Sequence, residues 1–250
     1  MQMNYKALIL FFSIITATAS AQDWRNGYSF FNEFMSLPTT TGGGTTIYQT
    51  VSGTGASNTN PAMTNANQAG LIRSSTGTTA TGRCAVTSSA NCVALGSGGW
   101  TYEVDIAAIS ALSDATQGYA LLVGFFDTYT AANQVDGVYF LYDSLGVSTS
   151  SASSDKWQCV TVSNSSRTFF ETSDVVATTG AKLRIEINSD GTQADFYIND
   201  VSARAATATI PTGVSRAMGF GWLLIKSAGT TARTVDFDYI EIDHNFLTTK

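Results

Sequence analysis

Proline is scarce, with 3 residues in 250, and histidine occurs once, at His244. Cysteine occurs three times, at Cys84, Cys92 and Cys159. Only 13% of the side chains are charged, and the 13 Lys and Arg are outnumbered by 19 Asp and Glu. Each shortage excludes something. One histidine and three scattered cysteines cannot supply the clustered nitrogen and sulfur ligands of a zinc centre. A formal net charge of −6 with no basic stretch leaves nothing to neutralise a phosphate backbone or an anionic lipid surface. Nucleic acid is therefore excluded as a partner. No Gly-x-Ser-x-Gly elbow accompanies His244, which lies just past the last strand pattern, so Ser-His-Asp catalysis lacks a framework.

What is abundant is apolar and small. Hydrophobic residues make up 44% of the chain and glycine contributes 22 residues, alongside many Thr and Ser. Such a composition favours many strands joined by small polar turns. The length suits one large β domain with a sizeable core.

The first residues read as a secretory signal. Lys6 supplies the positive charge, Ala7 to Ala19 a short apolar run, and Ala19-Ser20-Ala21 the small-residue cleavage pattern. The run is shorter than the roughly 20 residues of a spanning helix. Residues 1–21 are thus expected to be removed, leaving Gln22 first, no membrane span, and a charge near −7 because only Lys6 is lost. Export makes disulfides available. Seven residues separate Cys84 from Cys92, centred on Ser88, so a hairpin there brings the pair within bonding reach. Cys159 is expected to be a buried free thiol, because it alternates with Trp157.

Residues 22–44 form an aromatic arm, with Trp24 and Phe30-Phe31-Asn32-Glu33-Phe34, expected to pack on a body spanning 45–250. Residues 39–98 are rich in Thr, Ser, Gly and Asn, with Ala69-Gly70-Leu71-Ile72 and Cys84-Ala85-Val86 as strand fragments. From Gly99 the period of two is clear. Trp100, Tyr102, Val104 and Ile106 alternate with Thr101, Glu103, Asp105 and Ala107. Tyr119 to Phe126 is apolar throughout, as in a strand covered on both faces. Val138–Tyr142 and Trp157–Val162 follow. Leu183, Ile185 and Ile187 then alternate with charged residues, Asp190-Gly191 turns the chain, and Ala194, Phe196 and Ile198 alternate back to Asn199-Asp200. Ala217–Ile225 and Thr234–Ile242 close the series. Many short strands without an amphipathic helix predict an all-β fold of two packed antiparallel sheets.

The hairpin Lys182–Asp200, then Ala208-Thr-Ile-Pro-Thr, then Thr230–Ile242, resemble the concanavalin A-like (laminin G-like) jelly rolls. With Phe31-Asn32-Glu33-Phe34 ahead of them, they resemble virion structural proteins of tailed phages over residues 28–243. The resemblance implies a jelly-roll sandwich, but that fold serves lectins, glycosidases, lyases and structural proteins alike. A signal peptide departs from the phage group and points to a secreted or surface-displayed protein.

Laminarinase-type glycosidases of this fold carry Glu-x-Asp-x-x-Glu on one strand. Here Glu103 and Asp105 match, but the last position is Ala108. Retaining hydrolysis needs two carboxyls about 5–5.5 Å apart. Without the last one, Glu103 and Asp105 are polar groups on a strand face, and the chain is expected not to be an enzyme. Asp236, Asp238 and Asp243, with Glu241, are candidate calcium ligands, against the plainer reading of a solvated face. Trp24, Trp100, Trp157 and Trp222 offer either core packing or a platform for sugar rings. Asn164-Ser165-Ser166 fits the glycosylation acceptor pattern. The leading expectation is a non-enzymatic structural or adhesive surface protein, a virion component assembled as a homo-oligomer. A secreted carbohydrate-binding lectin is the alternative, and a glycan-active hydrolase or lyase the third reading.

Overall fold

The computed structural model describes residues 28–34, 38, 47–62, 70–147 and 154–246. The signal at 1–21 and Trp24 lie outside the described residues. Among those described there are fifteen strands, one 3-10 turn at Val214–Arg216 and no α-helix. One sheet holds β1 (Tyr28–Asn32), β3 (Ala56–Thr59), β4 (Ile72–Thr76), β6 (Gly98–Ile109), β11 (Ala181–Ile187), β12 (Ala194–Ile198), β13 (Val201–Ala206) and β15 (Thr234–Phe246). The other holds β2 (Tyr48–Ser52), β5 (Arg83–Thr87), β7 (Tyr119–Phe126), β8 (Gly137–Asp143), β9 (Ser154–Ser163), β10 (Ser166–Val175) and β14 (Gly219–Lys226). Their orders are β13-β12-β11-β6-β15-β4-β3, with β1 also on β15, and β10-β9-β8-β7-β14-β5-β2. All pairings between strands are antiparallel.

Alternation decides which side chains meet. Tyr102, Val104 and Ile106 of β6, Leu183 and Ile185 of β11, and Ile240 and Ile242 of β15 face inward. They pack on Leu121, Val123 and Phe125 of β7, Phe140 of β8, Trp157 of β9 and Trp222 of β14. Burying each such side chain contributes about 1.5–3 kcal/mol. Trp222 stacks on Phe237 at 3.9 Å and meets Phe34 edge-on at 5.4 Å. Its indole N–H donates to Ser74 Oγ (2.9 Å), Ser74 donates to Asn58 Oδ1 (2.6 Å), and Asn58 Nδ2 donates to the Ala85 carbonyl (3.2 Å). This relay satisfies polar atoms that the core would otherwise strand. Tyr102 crosses the sandwich to donate to the Gly221 carbonyl at 2.9 Å. Gly221 has φ +143°, and a Cβ there would stand 2.1 Å from the Val86 carbonyl oxygen, so glycine is required.

The seven-stranded sheet is covered on its reverse face too. Ala120, Leu122 and Phe126 of β7, Tyr139 and Leu141 of β8, and Val160 and Val162 of β9 form a second buried cluster with Tyr129, Ala132 and Phe169 packed on it. The unbroken apolar run at 119–126 is explained by these two cores, as its sequence implies. The 127–136 loop is held over this face. Gln134 gives and takes bonds with Thr128, while Arg167 donates to the Gln134 carbonyl at 2.9 Å.

Three readings change. The arm begins as strand β1, paired along β15 from Tyr28 opposite His244 to Asn32 opposite Ile240. Ser166–Val175 and Val201–Ala206, unassigned by pattern, are the edge strands β10 and β13. The Cys84–Cys92 bond is not made, and all three cysteines are free. No hairpin forms around Ser88. Cys84 is buried on β5 opposite Leu224 and Val51, whereas the chain beyond Thr87 leaves to bond Met218 through the Cys92 and Val93 amides. Cys92 Sγ instead lies 2.9 Å from Ser88 Oγ. Cys159 is buried, as its alternation with Trp157 implies.

Candidate functional site

The outward residues of the eight-stranded sheet form rows across neighbouring strands. One row runs Tyr197, Arg184, Glu103, Glu241, Phe31. Another runs Asp195, Glu186, Thr101, Asp243, Ser29. Asp105 lies opposite Lys182, and Asp236 lies between Ala108 and Arg73. The face is thus strongly acidic, with Lys182, Arg184 and Arg73 as its cations.

Glu103 sits at the centre and is fully engaged. Tyr239 donates to its Oε1 at 2.5 Å, and Lys182 Nζ and Arg184 Nε lie 3.9 and 4.0 Å from its carboxylate. Burial, then the bond to Glu103, push the Tyr239 phenol up. Burial raises Asp105, with Lys182 opposing and Glu103 adding to the shift. Burial also raises Glu241 and Asp238, reinforced by the neighbouring carboxylates Asp243 and Glu103 for the first, Asp105 and Glu33 for the second. The place opposite Ala108 belongs to Asp236, which accepts two bonds from Arg73, both 2.7 Å. A carboxylate is present there, but it is clamped by a guanidinium.

The calcium candidates are not brought together. Asp236 is held by Arg73, Asp238 faces Asp105 and Glu33, and Asp243 neighbours Glu241. Among the described residues no three His, Cys, Asp or Glu side chains could hold one metal ion. The reason is the pairing: Asp236 lies opposite Arg73 of β4, whereas Asp243 lies seven residues further along β15, opposite Thr101 of β6. Trp100, Trp157 and Trp222 all pack in the core, and Trp100 also borders the groove described below. His244 is buried too, stacked on Trp100 at 3.9 Å and 11°, and burial lowers its pKa. Asn164 and Ser165 take φ values of 53° and 64° in the two-residue turn between β9 and β10, where the Asn164 amide donates to Asp136 at 2.9 Å.

One open groove, of about 270 Å³, lies on the same face where the ends of β6, β11 and β12 meet. Thr101, Glu186, Asn188, Asp195 and Asn245 line it, with Trp100 and Ile187, over the Gly99 backbone. That volume is just below the roughly 300 Å³ at which small-molecule sites begin. The turn after β11 shapes one wall. Asn188 Oδ1 accepts from the Thr192 and Gln193 amides (both 2.9 Å), and Gly191 supplies the φ of +70°. Gln193 Nε2 donates to both Asp195 oxygens at 2.9 Å, and Arg184 reaches Glu186 at 3.3 Å. Of the groove residues, Trp100 alone stood out by residue type. The signal was in the register, because a turn centred on Asp190-Gly191 sets Glu186 opposite Asp195.

Two antiparallel sheets, an aromatic core between them and a polar outer face define the jelly-roll sandwich of the lectin and glucanase kind. Within that class the chain belongs to a specific family: residues 67–238 match the SO2946-like C-terminal domain. The protein of unknown function SO2946 from Shewanella oneidensis MR-1 superposes with a TM-score of 0.63 at 14% identity, over 90% of this chain and 89% of that one. The Emp47p carbohydrate recognition domain follows at 0.56 and 11%, over 90% and 99%. The endo-1,3-β-glucanase from Streptomyces sioyaensis gives 0.54 and 11%, over 88% and 96%. The CBM2 module of the evolved Dit of Lactobacillus casei BL23 phage J-1 gives 0.52 and 15%, over 90% and 99%. At these identities the likeness is one of fold. No curated protein matches the chain in sequence.

Proposed function

We propose that this chain is an exported, non-catalytic adhesive sandwich that binds glycan through the groove beside Thr101. The observation that carries the reading is the groove's lining: two carboxylates, two carboxamides and a hydroxyl converge on one open concavity. Such groups recognise sugar hydroxyls by hydrogen bonding. A carbohydrate recognition domain and a phage carbohydrate-binding module share the sandwich, which makes the use familiar for the fold. A glucanase shares it too, so the case against catalysis rests on local chemistry. Glu103 is held by Tyr239, Lys182 and Arg184, Ala108 replaces the expected carboxyl, and Asp236 opposite it is neutralised by Arg73.

A glycan array on the purified protein tests this, followed by product analysis on every ligand that binds. Binding without product supports the reading. Failure to bind any glycan, or release of reducing or unsaturated ends, overturns it. Export is tested separately by N-terminal sequencing, with Gln22 expected first and Met1 refuting cleavage. A virion component is the second reading, favoured by the phage-like order of motifs and by the phage J-1 module. It predicts a homo-oligomer by light scattering, and a monomer at all concentrations counts against it.

A further inference from the structure

Resting on the groove as the glycan site, we infer that its ligand is a neutral or amino-bearing pyranose and that uronates and sulfated sugars are excluded. The inference starts from an arrangement that costs stability. Glu186 and Asp195 face each other in register on adjacent strands, and both line the groove. Like charges directly opposite one another destabilise a sheet. The next row repeats the pattern with Glu103 opposite Glu241.

One cation reaches the two groove carboxylates, Arg184 at 3.3 Å from Glu186, and it is shared. Arg184 is shared between Glu186 and Glu103, and its guanidinium lies over the Tyr197 ring at 4.4 Å. Lys182 is drawn the other way, to Asp200 at 2.7 Å. Asp195 accepts on both oxygens from a neutral amide, Gln193, which brings no positive charge. Asp243 adds a further carboxylate in the row that contains Thr101. A ligand entering here therefore meets acceptors that want hydroxyl or ammonium donors. An anionic sugar meets carboxylates that outnumber the one guanidinium beside them, on a chain whose net charge is already −6.

The test measures the intact protein by calorimetry against three probes: laminari-oligosaccharides, chitosan oligosaccharides and oligomers of alginate. It compares wild type with Glu186→Gln and Asp195→Asn, whose near-identical shape keeps the fold, as melting curves verify. The expected result is binding of a neutral or amino probe, with alginate at least tenfold weaker, a discrimination that narrows as salt rises. Either substitution should weaken the preferred probe about tenfold or more, the size of a lost charge-assisted hydrogen bond, while raising the alginate affinity. Alginate binding as tightly as the neutral probes overturns the inference. So does sugar binding that neither substitution changes, although the glycan-binding reading then survives with its site elsewhere. Absence of binding to every sugar sinks both.

Discussion

Glu103→Gln separates a binding face from a catalytic one. The wild-type carboxylate feels Lys182 and Arg184 at 3.9 and 4.0 Å, whose side chains are 30% and 28% exposed. Pairs this exposed are each worth about 0.2–1 kcal/mol. Against them stand the repulsions from Glu241 opposite and Asp105 two residues on, of similar size. Removing the charge takes away two attractions and two repulsions that nearly cancel. The amide oxygen of Gln still accepts from Tyr239, so the remaining loss is the charge assistance of that bond, about 1 kcal/mol. For a domain of this size that corresponds to a Tm lower by roughly 2–4 °C. Were Glu103 a nucleophile or acid, the same substitution would cost at least about 10²–10³ in rate. The assay pairs differential scanning fluorimetry with reducing-sugar release from laminarin and agarose and ultraviolet detection of unsaturated ends from alginate. Measurable wild-type turnover that collapses in the variant would refute the reasoning outright. A Tm loss above about 10 °C would show that the ion-pair accounting is wrong.

Three further outcomes follow from the geometry. Ser74→Ala removes the link between the Trp222 indole and Asn58 and leaves two buried polar groups unpaired, so chemical denaturation should show a loss of about 2–4 kcal/mol. A loss below about 0.5 kcal/mol would mean the relay is not holding the core. Glu241→Gln should stabilise by a few tenths of a kcal/mol at neutral pH, because burial with Asp243 and Glu103 raises the Glu241 carboxyl above its ordinary 4.5. A raised acid favours the folded state only while protonated, a contribution lost as pH rises through the folded pKa, so the variant's advantage should vanish on acidification below the ordinary value. An advantage that persists or grows in acid denaturation runs would contradict it. Thiol titration of the unfolded, unreduced chain should count three thiols, and a count of one would restore a disulfide.

How much was legible depended on what shields each strand. β6, β11 and β12 have one buried and one wet face, so Tyr102, Leu183 and Phe196 mark them by simple alternation. β7 was equally plain, because two cores erase the polar positions. β10 and β13 lie at sheet edges, where exposure removes the hydrophobic penalty that enforces alternation; Phe169 and Phe170 sit side by side, and Val201 is 69% exposed. The tight turns that lead into them, Asn164-Ser165 and Asn199-Asp200, were the available signal, since Asn and Asp tolerate positive φ. The site was half legible. Residue type singled out Glu103, which the structure holds beside Lys182 and Arg184, and Asp105, which lies opposite Lys182, and passed over Glu186 and Asp195, which line the groove. Their significance comes from register, and register is a property of two strands and a turn together. The Cys84–Cys92 expectation failed for the converse reason. Spacing alone placed a hairpin at Ser88, but Met218, just before strand β14, is the partner of Val93.

The pairing of β1 with β15 also sets how the sandwich responds to force. Tyr28 lies opposite His244, so the outer ends of the first and last described strands are neighbours at one end of the sheet. A pull applied between those two points, as when a surface protein is tethered on one side and loaded on the other, acts across the ladder rather than along it. Its hydrogen bonds then carry the load one pair at a time, from Tyr28 towards Asn32. Such a zipper opens under less tension than strands sheared lengthwise, where all pairs must fail together. The first event under load would be the peeling of β1, which would part Phe31 from the tilted Tyr239 ring 5.5 Å away, while β6 and β11 still hold the groove in place.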